Sequence, residues 1–419
     1  MAVGTPLDLQ PVILGGDIGA YSLARTFHEA YGVRAVVVST VATGLVRHSR
    51  ILTNVVEPRM DRPEVVVARL RAIAADHEGK RLILLGSADW LVRTIVENRD
   101  RLEDLYTVPY VAREVLDLVT DKESFGRLCG ELGLGHPTTV VHDVGSDEVP
   151  DTSGLRFPVI AKTGDTAAYH LVEFTGKRKV FTVPSPQELA GLLGRVKDSG
   201  YRAPFIIQDL IPGDDSGMRI LTCYCDRSGR MRFASFGQVL LEEHTPGALG
   251  NPAGIVTRAD PELVEQARRL LEHIGWTGWA NFDLKHDPRD GSTVFFELNP
   301  RLGRSNFYIT AAGRNTAELY VREYLEGRPP LPEGEPAELT TAHLYTVLPL
   351  RLLLRYLADP QQRAQVRALV RSGRVTNPLW YRAERDPRRI AYLLLAQLNQ
   401  FRKFRRHYPV AAWREIGRS

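Results

Sequence analysis

The chain has 419 residues, of which 43% are hydrophobic and 25% are charged. These values are typical of a globular protein with a sizeable core, and the length allows two or three domains. The net charge of +4 does not indicate a nucleic-acid partner, because a basic cleft for an anionic ligand produces the same small excess.

The cysteines and the N-terminus predict a cytoplasmic protein. Cys223 and Cys225 fall on one face of a predicted strand, which is a poor geometry for a disulfide. The N-terminal stretch MAVGTPLDLQ lacks the basic start and the long apolar run of a signal peptide. The longest apolar runs, at 347–357 and 390–398, are too short or too charged to cross a bilayer, so we expect no transmembrane segment.

Residues 1–118 alternate apolar runs with amphipathic ones. The runs PVILGG, RAVVVST and RLILLGS are typical of strands buried on both faces, whereas GAYSLARTFHEAYG and DWLVRTIVENRDRL are typical of helices. Gly32 stands where the first of these helices would end. The alternation predicts a Rossmann-like domain of the α/β class, with a doubly wound parallel sheet.

Residues 119–330 have a different pattern and predict an α+β domain. Capping-box pairs precede two helices, Thr120 with Glu123 and Ser185 with Glu188. The runs MRILTCYCD and MRFASFGQVLL are joined by RSG and predict an antiparallel pair. The run FIIQDLIPGDD predicts a strand that breaks at Pro-Gly and connects two lobes.

Residues 331–419 follow a linker rich in Pro, Gly and Glu, and they predict a helical C-terminal extension. The last helices are basic and carry Arg388, Arg389, Arg402, Lys403, Arg405 and Arg406. Such helices suit an anionic precursor, a membrane surface or a second subunit of a homodimer, or they form a solvated cap. The sequence leaves these alternatives open.

Residues 280–306 have the clearest chemical pattern in the chain. Alternation along a strand places Glu297 and Asn299 on one face, and a turn at DPRDG sets Asp283 opposite Glu297. Two carboxylates about 5 Å apart repel each other unless a cation lies between them. Two acids and an amide offer oxygen ligands, which suit Mg²⁺. The hairpin therefore predicts a magnesium site with Arg301 directed at phosphates, although a solvent-exposed polar face gives a similar pattern.

Two lysines stand where a phosphate-binding cation is useful. Lys162 ends an apolar strand, and Lys122 lies in the first turn of a helix, where a cation opposes the helix dipole. An anionic partner explains both positions, whereas a lysine that extends into solvent is the commoner case at a position like that of Lys162 and explains Lys122 about equally well.

The segment that follows the apolar strand FIIQD predicts an adenine site. The carbonyl of Asp209 and the N–H of Ile211 lie where the strand ends, and Pro212 has no N–H. A carbonyl beside an N–H matches the donor and acceptor on the edge of adenine. Asp214 and Asp215 would then bind ribose hydroxyls, and a plain turn with Asp as the turn former is the alternative.

The turn ILGGDIGA opens the first helix of the chain. Its glycines lack the G-x-G-x-x-G spacing and no acidic residue closes the next strand, so an NAD-dependent oxidoreductase is disfavoured. We interpret Gly16 and Asp17 as part of a helix N-terminus that faces substrate anions. The spacing of the histidines and cysteines disfavours a zinc site.

The order of these motifs resembles that of the ATP-grasp superfamily over about residues 10–330. The resemblance rests on DK at Lys122, PVIAK at Lys162, IIQDLIPG, NFD and FFELNPRLG. It implies a two-lobed ATP-grasp domain with ATP and two Mg²⁺ ions as cofactors. The implied roles are nucleotide binding by Lys122, Lys162, Gln208, Asp209, Leu210 and Ile211, metal binding by Asp283, Glu297 and Asn299, and phosphoryl stabilisation by Arg301. The loop TGDTAAYH has fewer glycines than the phosphate-covering loop of the family.

The stretches PVILGGDIGAYSLARTFHEAYG and LLEEHTPGALGNP, with the long C-terminal extension, are similar to the D-aspartate ligase group. This resemblance implies a ligase that joins a carboxylate to an amine through an acyl phosphate, with D-aspartate and a lysine of a peptidoglycan precursor as substrates. Arg304 and Ser305 follow the metal strand and are placed to hold a substrate carboxylate. A peptide ligase of secondary metabolism and a non-catalytic nucleotide-binding protein are the alternatives, and the intact set of acids, lysines and arginine argues against the second.

Overall fold

The computed structural model describes residues 8–146, 150–164, 168–169, 171–178 and 180–416. The chain divides into two compact units. Unit 1 draws on the segments Met1–Thr120, Gly213–Leu284 and Glu297–Ser419, and unit 2 draws on Asp121–Pro212 and Lys285–Phe296. The contacts therefore group both ends of the chain in one unit, whereas the sequence pattern predicts three successive domains.

Unit 1 contains a five-stranded parallel sheet with the order β3-β2-β1-β4-β5. Its central strands are apolar and buried along their length, as strands covered on both faces must be. The predicted Rossmann-like sheet is confirmed, and two strands that the sequence pattern missed, β3 and β5, lie at its edges. The elements are β1 (Leu9–Leu14), α1 (Ile18–Tyr31), β2 (Ala35–Ser39), β3 (Leu52–Val56), α2 (Pro63–Asp76), β4 (Arg81–Gly86), α3 (Asp89–Glu97), β5 (Tyr106–Thr107) and α4 (Arg113–Thr120).

Helix α1 begins and ends where its sequence predicts. The carboxylate of Asp17 accepts a hydrogen bond from the N–H of Ala20 at 3.0 Å and caps the first turn. Gly32 ends the helix with φ 68°, a left-handed conformation that favours glycine. Gly15 has φ 129° and lies so close to Ser87 that a Cβ would clash with it, so the turn before the helix requires glycine.

Unit 2 contains a four-stranded antiparallel sheet with the order β6-β9-β7-β8. Helix α6 buries Leu189, Leu192 and Val196 against one face of this sheet, where Phe205 and Ile207 lie. The elements are α5 (Lys122–Glu131), β6 (Thr139–Asp143), β7 (Val159–Thr163), β8 (Val180–Val183), α6 (Pro186–Asp198) and β9 (Pro204–Asp209).

The two predicted capping boxes have different outcomes. Ser185 caps α6 and accepts from the N–H of Glu188 at 3.3 Å, as predicted. At α5 the cap is Asp121, whose carboxylate accepts from the N–H of Ser124 at 2.8 Å. The prediction for Thr120 was wrong by one residue because Thr120 still belongs to α4, where its hydroxyl donates to a carbonyl of that helix.

Unit 1 also contains a larger, mainly antiparallel sheet, which begins with the order β14-β13-β10-β11-β12. The predicted pairing of MRILTCYCD with MRFASFGQVLL is confirmed as β10 and β11. The predicted hairpin at 280–306 is also present, with its tip assigned to unit 2. The elements are β10 (Met218–Cys225), β11 (Met231–Glu243), β12 (Asn251–Arg258), α7 (Pro261–His273), β13 (Gly278–His286) and β14 (Thr293–Asn299).

The C-terminal segment is helical and also extends this sheet. Strand β16 pairs with β12 in antiparallel fashion, β17 pairs with β16, and β15 pairs with β11. No helix of the described residues is long and apolar enough to cross a membrane. The elements are α8 (Phe307–Ala311), α9 (Thr316–Tyr320), β15 (Glu338–Leu339), β16 (Leu344–Thr346), α10 (Leu350–Arg355), α11 (Pro360–Arg371), β17 (Val375–Thr376), α12 (Pro387–His407) and α13 (Val410–Ile416).

Buried charges fasten the C-terminal segment to the parallel sheet of the same unit. Glu384 is buried and accepts from the backbone N–H of Arg50 at 2.8 Å. Arg389 is also buried, donates to the carbonyl of Leu45 and lies 4.3 Å from the ring centroid of Tyr21. Because a buried ion is costly to leave unpaired, these contacts hold the start of α12 in one place.

Candidate active site

The predicted acidic cluster forms on the hairpin of β13 and β14. The side-chain N–H group of Asn299 donates to the carbonyl of Asn281 and to the carboxylate of Asp283, both at 3.2 Å. The carboxyl groups of Asp283 and Glu297 share a hydrogen bond. Burial and the neighbouring charge of Glu297 raise the pKa of Asp283 well above its usual range. The hairpin therefore brings two carboxyl groups and one amide together at a place where Asp283 is difficult to ionise.

The donor set of this cluster fits magnesium. Two carboxylates and one amide oxygen are hard ligands of the kind that Mg²⁺ takes. Within the described ranges no group of three or more His, Cys, Asp or Glu residues is arranged to hold a metal. A site built here would therefore depend on Asn299 and on ligands that come from outside the chain, such as phosphate oxygens and water.

Arg301 lies beside the acidic cluster and is held by two partners. Its Nη2 donates to the carboxylate of Asp89 at 2.8 Å and to the amide oxygen of Asn299 at 3.2 Å. Burial alone would lower the pKa of Arg301, but the carboxylate of Asp89 more than offsets it and the pKa is raised. The guanidinium is thus charged and fixed in orientation.

Two acids that lie near the arginines, Asp89 near Arg301 and Asp17 near Arg304, come from the carboxyl edge of the parallel sheet. Asp17 follows β1 by three residues and Asp89 follows β4 by three residues. Since β1 and β4 are paired neighbours with Leu14 opposite Gly86, both acids lie at the same edge. The carboxyl edge is where open parallel sheets bind ligands. Sequence reasoning missed Asp89, although its position directly after a predicted strand was a usable signal.

Arg304 lies between two acids of unit 1. Its Nη1 is 3.1 Å from the carboxylate of Glu243, and its Nε is 3.8 Å from that of Asp17. Burial raises the pKa of the Tyr345 hydroxyl. Among the neighbouring charges, Arg304 lowers this pKa, and Glu243 and Asp17 raise it. Glu243 belongs to the LLEEHTPGALGNP stretch, but no sequence pattern indicated its pairing with Arg304.

A cavity of about 480 Å³ opens at this arginine. Its walls are Ile18, Glu243, Arg304 and the inner side of α12, which contributes Gln400 and Lys403. The hydroxyls of Tyr345 and Ser305 are buried and have no hydrogen-bond partner among the described residues. The predicted substrate residues Asp17 and Arg304 therefore lie together beside a cavity.

Gly16 lies in the turn that positions Asp17. Its carbonyl accepts from the hydroxyl of Thr43 at 2.7 Å, and a Cβ at this position would lie 2.8 Å from that of Ser39. The helix N-terminus after it is capped by the carboxylate of Asp17 itself. The turn therefore presents a negatively charged carboxylate as well as N–H donors.

In unit 2, Lys162 lies on the face of the small sheet that α6 does not cover. Ile160 pairs with Gln208, which pairs in turn with Thr139, so these residues and Lys162 share one face. The amide of Gln208 donates to the hydroxyl of Thr139 at 2.8 Å. The opposite face carries the buried core with Phe205. Helix α6 thus packs on the side of the sheet opposite to this polar face.

Lys122 lines a cleft of about 740 Å³ in the same unit. The cleft also contains His136 and Thr139. Burial, and to a smaller extent the positive charge of Lys162, lowers the pKa of His136 below its usual value. His136 was not predicted from the sequence, because a single histidine in a loop carries no recognisable spacing.

The predicted adenine segment is partly engaged in the fold of unit 2. The N–H of Asp209 donates to the carbonyl of Thr138 at 2.9 Å, and its buried carboxylate accepts from the N–H of Arg156 at 2.8 Å. The ammonium of Lys285 donates to the carbonyl of Ile211 at 2.8 Å. The carbonyl of Ile211 is thus engaged within unit 2, and the predicted use of its N–H for adenine stays a prediction. Leu210, between them, is half-buried.

Asp214 and Asp215 have partners within unit 1. Asp214 accepts from the N–H of Ser216 at 3.0 Å, which is the local turn role that the sequence gave as the alternative. Asp215 accepts from the N–H of Glu242 at 2.9 Å and lies 2.7 Å from Nε2 of His244. Their predicted contact with ribose stays a prediction. The loop after Lys162 falls largely on residues 165–167 and 170, outside the described residues.

Comparison with known proteins places this geometry in context. No family model matches the chain. D-aspartate ligase of Enterococcus faecium is 28% identical over 407 residues, which cover 96% of this chain and 97% of that protein. The L-amino acid ligase structure from Bacillus licheniformis matches with a TM-score of 0.54 and 15% identity over 77% of this chain and 75% of its own.

A second solved structure supports the same fold. Phosphoribosylglycinamide synthetase from Anaerococcus prevotii matches with a TM-score of 0.55 and 14% identity, covering 77% of this chain and 76% of that chain. These neighbours share the ATP-grasp fold. Together the comparisons show that the chain has the fold of the ATP-grasp ligases and that it is similar along almost its whole length to D-aspartate ligase.

Proposed function

We propose that the protein joins the carboxylate of D-aspartate to an amine in two ATP-dependent steps. The carboxylate attacks the γ-phosphate of ATP to give an acyl phosphate and ADP, and the amine then displaces phosphate from the acyl carbon. The observation that carries the proposal is the cluster of Asp283, Glu297 and Asn299 on one hairpin, with Arg301 held beside it by Asp89 and Asn299. D-aspartate is proposed from the similarity along almost the whole chain to D-aspartate ligase.

Asp283, Glu297 and Asn299 are proposed to hold Mg²⁺. When bound, Mg²⁺ neutralises charge on the phosphate oxygens during transfer. The raised pKa of Asp283 supports this role, because a carboxyl that is difficult to ionise alone becomes a good ligand once a cation offsets its neighbour. The number of ions, two in the resemblance, stays a prediction.

Arg301 is proposed to stabilise the phosphoryl group in the transition state. Asp89 and Asn299 hold its guanidinium, so little orientation entropy is lost at the moment of reaction. Its raised pKa keeps it protonated over any useful pH range. A fixed cation next to a metal site is the arrangement that phosphoryl transfer requires.

The surroundings of Arg304 support an amino-acid site. An amino acid carries a carboxylate and an ammonium group, and Arg304 lies directly between the carboxylates of Glu243 and Asp17. The buried hydroxyls of Ser305 and Tyr345, which have no hydrogen-bond partner among the described residues, are the further polar groups near Arg304. We propose that Arg304 binds a substrate carboxylate and that the neighbouring acids bind its ammonium group.

The polar face of unit 2 is proposed to bind ATP. Lys122 and Lys162 would bind phosphates, and the N–H of Ile211 with the carbonyl of Asp209 would bind the adenine edge. Gln208 shares the face of Lys162 and is placed to contact the nucleotide. The acyl phosphate hydrolyses readily in water, so we expect a segment to close over it before the amine reacts.

The proposal is tested by measuring ADP release and product mass with purified protein. ATP, Mg²⁺ and D-aspartate are supplied with a panel of amine acceptors that includes a lysine-containing peptidoglycan precursor. Amide product with D-aspartate and not with L-aspartate supports the proposal. Product with other amino acids and none with D-aspartate would establish the alternative, a peptide ligase with different substrates.

A further inference from the structure

Helix α12 presents one side that packs against the fold and one apolar stripe that does not. The inner side recurs at residues 389, 393, 397, 400 and 404 and includes the buried Arg389, Leu393 and Phe404. The outer stripe has the same spacing one residue later, at Ile390, Leu394, Leu398 and Phe401. One residue corresponds to about 100° around a helix, so the outer stripe faces away from the core.

The outer stripe is exposed to a degree that is unusual for leucine. Leu394 is 54% exposed and Leu398 is 65% exposed. Ile390 and Phe401 extend the exposed surface along three turns of the helix. Single exposed apolar side chains are common, but a contiguous stripe marks a surface that binds something.

The charges of α12 identify the kind of partner. The helix contains no Asp or Glu, whereas it carries Arg388, Arg402, Lys403, Arg405 and Arg406. Arg405 continues the outer stripe four residues beyond Phe401. Pairing with α12 of a second copy would give these cations no acidic partner, because the helix contains no Asp or Glu. An anionic surface complements the cations and accepts the leucines.

We propose that α12 docks this protein onto the surface of an anionic membrane. The outer stripe, Ile390, Leu394, Leu398 and Phe401, would lie in the boundary between headgroups and acyl chains, and Arg405 and Arg406 would pair with lipid phosphates. The helix lies along the surface and does not cross it, in agreement with the absence of a spanning helix among the described residues. Because Leu393 and Phe404 already fix the helix to the fold, binding requires no folding of the segment.

Co-sedimentation with lipid vesicles tests this proposal. We expect the full-length protein to bind vesicles that contain phosphatidylglycerol, to bind pure phosphatidylcholine vesicles far less, and to lose binding as salt is raised. Leu394→Gln with Leu398→Gln, and separately Arg405→Gln with Arg406→Gln, should each reduce the bound fraction by about tenfold or more.

Matched controls come from exposed residues elsewhere in unit 1. Leu118→Gln on α4 and Arg367→Gln with Arg371→Gln on α11 should bind as the wild type does. None of the substituted α12 residues lines the cavity at Arg304, so ATP-dependent turnover without vesicles should stay unchanged and show that the variants are folded.

Three outcomes would overturn the proposal. The first is failure of the wild type to bind phosphatidylglycerol vesicles at low salt. The second is equal binding by the leucine variant and the wild type. The third is a dimer in light scattering that Leu394→Gln with Leu398→Gln converts to a monomer, which would assign the stripe to a second copy of the chain. Because binding is measured without substrates, its result is independent of the ligase assignment.

Discussion

The regions of unit 1 and unit 2 that are proposed to bind Mg²⁺ and ATP hold their charged side chains in different environments. In unit 1, acids and arginines pair with one another: Arg301 with Asp89, and Arg304 with Glu243. In unit 2, Lys122 is exposed, and Lys162 lies on the sheet face opposite to α6. In unit 1 the charged side chains are partly buried and paired with one another, whereas in unit 2 the two lysines lie on a polar surface.

This difference predicts how substitutions in each unit affect activity and stability. In unit 1, ionising Asp283 beside Glu297 costs stability in the free protein, and that cost falls when a cation binds. Cations on an open surface cost little because water screens them. Substitutions in unit 1 should therefore change both activity and stability, whereas those in unit 2 should change nucleotide affinity alone.

The largest expected effect comes from Glu297→Ala. Loss of a carboxylate from the proposed metal site should reduce amine-dependent ADP release by about a thousandfold, because charge stabilisation of the transferring phosphoryl group is lost. Glu333→Gln, at an exposed position of the same unit, should retain wild-type turnover. Turnover within threefold of wild type in the Ala variant would contradict the assignment of Glu297.

The next effect in size is that of Lys162→Ala. Removal of one phosphate-binding cation should raise KM for ATP by about a hundredfold, with an unchanged melting temperature. Arg195→Ala removes a cation from α6, on the other side of the small sheet, and should leave KM unchanged. A large loss of thermal stability in Lys162→Ala would show that Lys162 stabilises unit 2, as the paired charges stabilise unit 1.

A smaller effect is expected for Arg304→Lys. Lysine keeps the charge but loses the planar fork of donors, so KM for the amino acid should rise by about tenfold while KM for ATP stays constant. The measurement is a pair of initial-rate titrations, one for each substrate. A rise confined to KM for ATP would instead assign Arg304 to the nucleotide.

The smallest effect, and the one that most sharpens the comparison, is that of Asp283→Asn on stability. Because the folded-state pKa of Asp283 is raised, its ionised form destabilises the fold, and the stability it contributes is lost as pH rises through that pKa. Asp283→Asn should therefore melt a few degrees higher than wild type at neutral pH. The difference should vanish near about pH 4, where the wild-type carboxyl is protonated.

Magnesium provides the control for this measurement. Adding Mg²⁺ with ATP should raise the melting temperature of the wild type and not that of Asp283→Asn. If Asp283→Asn melts below wild type at neutral pH without Mg²⁺, then Asp283 stabilises the fold and the proposed repulsion with Glu297 is wrong.

Much of the fold was predictable because its signals are local. Continuous apolar runs gave the central strands β1, β2 and β4, and the pair of β10 and β11 followed from two runs joined by a short turn. Short strands such as β5, with two residues, carry no periodicity and were missed. The strands β16 and β17 were also missed, because their pairing partners lie in a distant part of the chain.

The sequence by itself determined that Asp283, Glu297 and Asn299 share a face, because side chains alternate along a strand whatever surrounds it. Only the tertiary structure determined which acids pair with Arg301 and Arg304. Arg301 pairs with Asp89 across 212 positions of sequence, and Arg304 pairs with Glu243 across 61. Such pairs depend on which strand edges the whole fold brings together, and no local spacing encodes that.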